Sequence, residues 1–305
     1  MPTEKKPADT PKAAFGQFVA VGRMGLRMTS SDGSVWSPPQ LNKDPHTLGS
    51  IAVGNGAVVA VGMAGTGANV FYRTTDLQTW TSEKKNSDYV FMMRSIAFGG
   101  GVAGAPGQFF ALLSGGVNGD DAGVAHFSSD GQQWGERVKR TKRSLNKVVW
   151  GDERWVGIGT YGLKSTSKDG REWQDAANQT PADTLIDIAF GKGVFVGVGL
   201  HGLRMTSPDG LQWANKQLGE EGEHIHAVVF TGKEFVGVGL GATYTSPDGL
   251  SWTRKPNTDA PVCCAFGKGM FVGSAYKGRI LVSKDAVTWK QALKCEQHVQ
   301  AIAFV

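Results

Sequence analysis

The sequence predicts an all-β fold, a seven-bladed β-propeller of four-stranded blades. Three observations predict it: a short motif ending in tryptophan returns seven times, its spacing is near one blade length, and the two chain ends each supply part of one blade. The motif reads Thr29-Ser30-Ser31-Asp32-Gly33-Ser34-Val35-Trp36 at its first occurrence and Thr74-Thr75-Asp76-Leu77-Gln78-Thr79-Trp80 at its second. It returns at Ser128–Trp134, Ser167–Trp173, Ser207–Trp213, Ser246–Trp252 and Ser283–Trp289. Successive tryptophans are 44, 54, 39, 40, 39 and 37 residues apart. A unit of about 40 residues is the length of one propeller blade.

Each unit divides into four short apolar runs separated by Gly-, Asp- and Lys-rich turns such as Gly191-Lys192-Gly193. In one unit the runs are Ile188–Phe190, Phe195–Gly199, Leu203–Thr206 and the segment from Trp213. The second run alternates valine with glycine, as in Phe235-Val236-Gly237-Val238-Gly239, which predicts close approach of sheets near a crowded axis. Ala301–Val305 reads as a first strand with nothing after it, and Phe18–Gly22 as a second strand with no first strand before it. Pairing the two closes the ring and removes two open sheet edges. Residues 1–14 read as a loose polar tail, and residues 15–305 as a single domain.

Composition agrees. Glycine makes up 43 of 305 residues, twice the usual share of about 7%, and there is no Gly-X-Y period to indicate collagen. With 40% hydrophobic and 19% charged residues the chain is not of the disordered class. No apolar run approaches the roughly 20 residues of a membrane helix. The opening segment lacks the apolar stretch of a signal peptide, so the expectation is a cytoplasmic protein, or an exported one whose leader has been removed. Cys263, Cys264 and Cys295 are too few for a disulfide scaffold, and no Cys-x-x-Cys spacing marks a zinc site. A net charge of +5 tolerates an anionic partner without demanding one.

The Ser-x-Asp-Gly-x-x-Trp turns resemble the Asp-box, or BNR, repeat of sialidase-like and photosystem II assembly-factor-like propellers. Here Gly follows Asp directly, where the usual box has one more residue between them. The resemblance covers roughly residues 15 to 305. It implies that each Asp caps its own turn, that each Trp packs between blades, and that the boxes lie on the face opposite any active site.

A repeat protein carries its own control: residues that recur at one position belong to the scaffold, and residues that break the pattern are candidates for a site. By this criterion the seven box aspartates are scaffold, and Arg27, Lys164 and Arg204, at one position in three blades, are expected to be solvated strand residues. The turns between second and third strands, and the lead-ins to the first strands, share what is here named the upper face. Candidate ligand-binding residues there are Arg23, His46, Arg94, Tyr161, His201, His224, His226, Tyr276 and His298. The blade order makes His46 a neighbour of His298, and His201 a neighbour of His224. Tyrosine, histidine and arginine around a funnel suit stacking and hydrogen bonding to a sugar, or acid–base chemistry.

No cofactor is expected. Alternatives are calcium on Asn118, Asp120 and Asp121 in the enlarged blade 3 turn, and a metal held by histidines with Asp183, Glu223 or Asp259. The run from Arg137 to Lys147 holds six basic residues among eleven and would attract an acidic partner. No recognition helix or RNA-binding signature accompanies it, so nucleic acid is not expected.

The leading reading is a non-catalytic recognition module, expected to be monomeric, that binds a glycan, acidic ones included, or a protein around the channel mouth. The alternative is a carbohydrate-active enzyme. A polysaccharide lyase would use Tyr161, His201, His224 and Arg143 as base, acid and carboxylate-neutralising group. A sialidase-like hydrolase would gather Arg23, Arg94 and Arg143 around a carboxylate, with Tyr161 or Tyr276 beside Glu223.

Overall fold

The computed structural model describes residues 15–85, 92–100, 107–114, 124–135, 138–139, 144–257 and 259–305. The tail 1–14, the calcium candidates Asn118, Asp120 and Asp121, the site candidate Arg143 and much of the basic run lie outside the described residues.

Seven antiparallel sheets form a ring, with the first strands of neighbouring blades in contact all the way round. Blade 5 is representative, with strands Leu185–Gly191, Val194–Gly199, Arg204–Ser207 and Ala214–Gln217 in simple succession. Blade 1 closes the ring as the chain ends predict. Val299–Phe304 pairs with Phe18–Gly22, which pairs with Arg27–Ser30. Its fourth strand is reduced to a single bridge from Arg27 to Gln40, where Pro38 and Pro39 prevent a regular ladder.

In all seven box turns the aspartate takes two amides of its own turn, and in five the indole also bonds back into the turn, whereas the buried Trp134 indole has no partner. In blade 5 the Asp209 Oδ1 accepts the amides of Leu211 and Gln212 at 2.9 and 2.8 Å. The Ser207 hydroxyl accepts the Gly210 amide at 2.8 Å, and the Trp213 indole donates to the Gly210 carbonyl at 2.9 Å. The residue after the aspartate is left-handed everywhere, from φ 58° at Ala286 to φ 80° at Gly249, which explains glycine in five of the seven boxes. Those glycines rest against the blade before: Gly33 on Val272, Gly131 on Val59, Gly170 on Phe127, Gly210 on Val156 and Gly249 on Val196.

The second-strand glycines have a different cause from the one expected. At the upper end of five blades a Cβ on Gly22, Gly62, Gly159, Gly199 or Gly239 would collide with a carbonyl at the start of the same blade's first strand or of the residue just before it, not with a neighbouring sheet. The first strand bulges there, as between Leu185 and Asp187, and the glycine makes room for the turned carbonyl. At the lower end Phe98, Trp150, Phe190, Phe230 and Phe304 each lie on a glycine of the preceding blade.

Two outcomes follow. Deleting Ala301–Val305 removes the inner strand of blade 1, the Phe18–Phe304 contact at 5.0 Å and the bond from Gly16 N to Val305 O. The truncated chain should lose cooperative unfolding, and an unchanged melting temperature would refute this closure. Asp285 shows how the boxes respond to acid. Amides of Thr288 and Val287 lower its carboxyl to about 2, from an ordinary 3.8. Its stabilisation is present above 3.8 and fades as pH falls through about 2. Melting temperature measured from pH ~4 to ~2 should therefore fall more steeply for wild type than for Asp285→Asn, and superimposable curves would remove the carboxylate from the account.

Candidate functional site on the upper face

Four of the upper turns share one backbone. Met24-Gly25, Tyr161-Gly162, His201-Gly202 and Lys277-Gly278 all have positive φ at both residues, the geometry of a type I′ hairpin turn. Glycine is needed second, because a Cβ on Gly162 or Gly278 would meet backbone carbonyls of the following connection. The residue at or before the first left-handed position stands out of the face. From blade 4 to blade 7 the upper turns expose Tyr161 (70%), Leu200 (45%), Leu240 (57%) and Tyr276 (66%). Among the described residues the hydroxyls of Tyr161 and Tyr276 have no hydrogen-bond partner.

The histidines divide. His201 and His224 meet as the blade order requires: the His201 amide donates to His224 Nδ1 at 3.0 Å, and the rings lie 5.5 Å apart. His226 joins them, 6.5 Å from His224, and burial followed by the charge of His224 pushes its pKa below the usual imidazole value. It occupies the bulge between Ile225 and Ala227, and Arg94 occupies the equivalent bulge of blade 3, exposed. Arg23 is exposed, and its amide bonds the His298 carbonyl at 3.0 Å. His298 is half-buried beside its own strand.

His46 is not a funnel residue. It is 4% exposed, its Nδ1 lies 2.6 Å from the Tyr72 hydroxyl, and Asn42 completes the cluster. Burial, then the nearby Lys84, lowers its pKa. The same seam corrects the reading of Arg27, Lys164 and Arg204, which are buried rather than solvated. The Arg204 guanidinium lies 4.0 Å over the Tyr244 ring of the next blade and bonds the Gly202 and Leu218 carbonyls. Arg27 sits 4.9 Å over Tyr72 in the same way. Lys164 bonds the Gly162 carbonyl at 3.0 Å, and burial, partly offset by Asp183, lowers its pKa.

The acids proposed for a metal or for catalysis are committed elsewhere. Glu223, 3% exposed, accepts from Tyr244, from the Glu220 amide and from Arg254 at 2.5 Å. Burial alone would raise its carboxyl; Arg254 and Tyr244 outweigh burial and hold it low. The tyrosine bonded to Glu223 is thus the buried Tyr244, in place of the Tyr161 or Tyr276 that the sialidase-like reading expects. Asp183 pairs with Lys216 at 2.6 Å and Asp259 with Arg279 at 2.7 Å. No cluster of metal-ligating side chains occurs among the described residues.

The sequence reading missed three features. Tyr72 and Tyr244 answer the buried arginines of the preceding blades, a signal available only by aligning the repeats one blade out of step. Lys147 of the basic run turns onto the first strand of blade 4 and meets Asp187 at 3.0 Å, and that carboxylate raises its pKa. Asp187 also takes the Val228 amide of blade 6, bridging two first strands. The apolar series that includes Leu200 and Leu240 went unread because each leucine alone is unremarkable.

No protein-family profile matches the chain, and no curated protein matches it. Solved structures do. One described as YCF48 bound to D1 peptide is 16% identical, with a TM-score of 0.58, covering 88% of this chain and 93% of that one. YCF48 from Cyanidioschyzon merolae is 14% identical with a TM-score of 0.55, covering 81% and 84%. The computationally designed Ika8 protein is 14% identical with a TM-score of 0.61, covering 94% and 86%. At these identities the likeness establishes the propeller fold alone.

The seam predicts a stability effect. Glu223→Ala leaves Arg204 and Tyr244 buried without their acid and should cost about 3 kcal/mol in urea unfolding. A loss under about 0.5 kcal/mol, the size of an ordinary surface change, would place Glu223 outside the scaffold.

Proposed function

We propose that the protein is a non-catalytic recognition propeller that binds a polypeptide partner on its upper face. One observation carries the reading: four consecutive blades expose a large apolar side chain from the same turn, Tyr161, Leu200, Leu240 and Tyr276. Leu41 and Leu218, on upper connections, are also exposed, whereas the lower face contributes Val35, Val53 and Leu250 from separate turns. Aromatic and leucine side chains raised on rigid turns suit docking of a partner's apolar anchors. A same-fold protein described as bound to a peptide supports a polypeptide over a sugar. The tyrosines would also stack on a glycan, so that ligand class is the competing outcome. Recognition of this kind requires no cofactor.

The test pans the immobilised protein against a displayed peptide library and, separately, a glycan array. Selected peptides should lose at least about tenfold in affinity with Leu200→Ser/Leu240→Ser. They should be indifferent to Leu250→Ser, a leucine of the same 45% exposure as Leu200 but in a lower-face box. Equal losses from both variants, or glycan binding without any peptide binding, would overturn the reading.

A further inference from the structure

We propose that the His201–His224 contact is a latch on this recognition surface: neutral His224 holds the blade 5 turn in place, and its protonation frees the turn and weakens binding. The link to binding rests on the preceding functional reading; the latch itself does not.

The geometry fixes the sense of the switch. His224 Nδ1 accepts the His201 amide at 3.0 Å, so that nitrogen carries no proton and the neutral ring is protonated at Nε2. A second proton must go to Nδ1, where it faces another N–H, and the bond is lost. The bond anchors a turn that already carries strain, because His201 holds φ 57° without being glycine. The same turn bears Leu200, which bridges His224 in the sheet and belongs to the exposed apolar series. Bonds from Gly219 N to His201 O, from Leu203 N to Leu200 O and from the Arg204 guanidinium to the Gly202 carbonyl remain, so loss of the latch loosens the turn without melting it.

The surroundings do not compensate the new charge. The groups facing His224 are His201 from blade 5 and His226 from its own strand. Leu240, paired with it on the second strand, is uncharged. Glu223 is adjacent in sequence but spends its oxygens on Arg254, Tyr244 and the Glu220 amide. Glu220 pairs with Arg254, and Asp183 of blade 5 with Lys216. Among the described residues no carboxylate lies within ion-pairing distance of His224.

The scaffold does not require the imidazole. In blade 1 the positions of His201 and His224 are taken by Met24 and Thr47. That turn is closed by Gly25 N to His46 O at 2.7 Å and Asn42 N to Met24 O at 2.8 Å, neither of which titrates. Histidine at the blade 6 position therefore makes closure of this turn depend on the protonation of a side chain, which no other bond named here does.

Amide hydrogen exchange at His201 tests the latch without any partner. After correction for intrinsic rates, wild type should lose about tenfold in protection between about pH 7.5 and about pH 5.5. His224→Asn, whose amide oxygen can accept the same bond and does not titrate, should keep equal protection at both. Protection unchanged in wild type, or lost equally in His224→Asn, would overturn the latch. Binding of the neutral apolar dye Nile red, compared at the same two pH values, tests the link to the surface. It should fall on acidification in wild type and stay flat in His224→Asn; exchange that switches while dye binding does not would refute that link and leave the latch standing.

Discussion

Each blade leans on the one before it through a left-handed residue in its box turn. Gly210 rests on Val156 of blade 4 and Gly249 on Val196 of blade 5, close enough that a β-carbon would collide. Where the residue is not glycine the seam adapts: Leu77 is buried in the core between blades 1 and 2, and Ala286 in the core between blades 6 and 7. The dependence runs one way round the ring. Gly33, in the first box of the chain, leans on Val272 in the last blade, so the first blade has support only once the last is in place. The C-terminal strand supplies the other half of that joint. Repeats held by nearest-neighbour contacts are ordinarily extensible; here they are a closed set.

This arrangement concentrates order on the lower face and releases the upper one. Below, the aspartate of every box takes two amides of its own turn, and aromatic rings sit on glycines at the strand ends. Above, a bulge in the first strand and a glycine opposite it recur, with a type I′ turn in four blades and, in three of those, a buried cation, Arg27, Lys164 or Arg204, bonded to the turn's carbonyl. Side chains on those turns are free to differ, and they do, from Met24 to Tyr161 to His201 to Lys277. The buried side of those turns is held by the scaffold while their outer side chains vary, a division that suits recognition by loops on a rigid scaffold.

The fold was legible because its signals are local: seven tryptophan-ended turns and two half-blades at the termini. The meeting of His201 with His224 was legible for a related reason, since blade order and turn position together fix which upper residues are adjacent. Burial in the seams was not legible. Whether Arg204 is solvated depends on Tyr244, forty residues later and on another blade, and a polar residue at a repeated position looks the same in either case. His46 misled in the same way, since its partner Tyr72 lies on the third strand of its own blade, beneath the Arg27 guanidinium. The glycine alternation was read as close approach of neighbouring sheets, whereas the approaching group is a carbonyl of the same blade, which a pattern of residue types does not reveal.

The seams also bear on recognition against chemistry. General acid–base catalysis calls for a group free to exchange a proton with a bound substrate. Glu223, Asp183, Asp187 and Asp259 each hold a cation, and Tyr244 and His46 are buried. Among the described residues, the accessible candidates of the sequence reading for such a role include Tyr161, Tyr276 and the histidines of blades 5 and 6. The tyrosines stand on blades 4 and 7, on either side of those histidines, with no base within hydrogen-bond reach of their hydroxyls among the described residues. The one close pair, His201 with His224, is joined from a backbone amide to a ring nitrogen, so the nitrogen that would act as a base is occupied in holding the turn. A histidine used this way is better placed to sense protons than to transfer them. Such a pairing is consistent with the proposed pH-sensitive recognition surface.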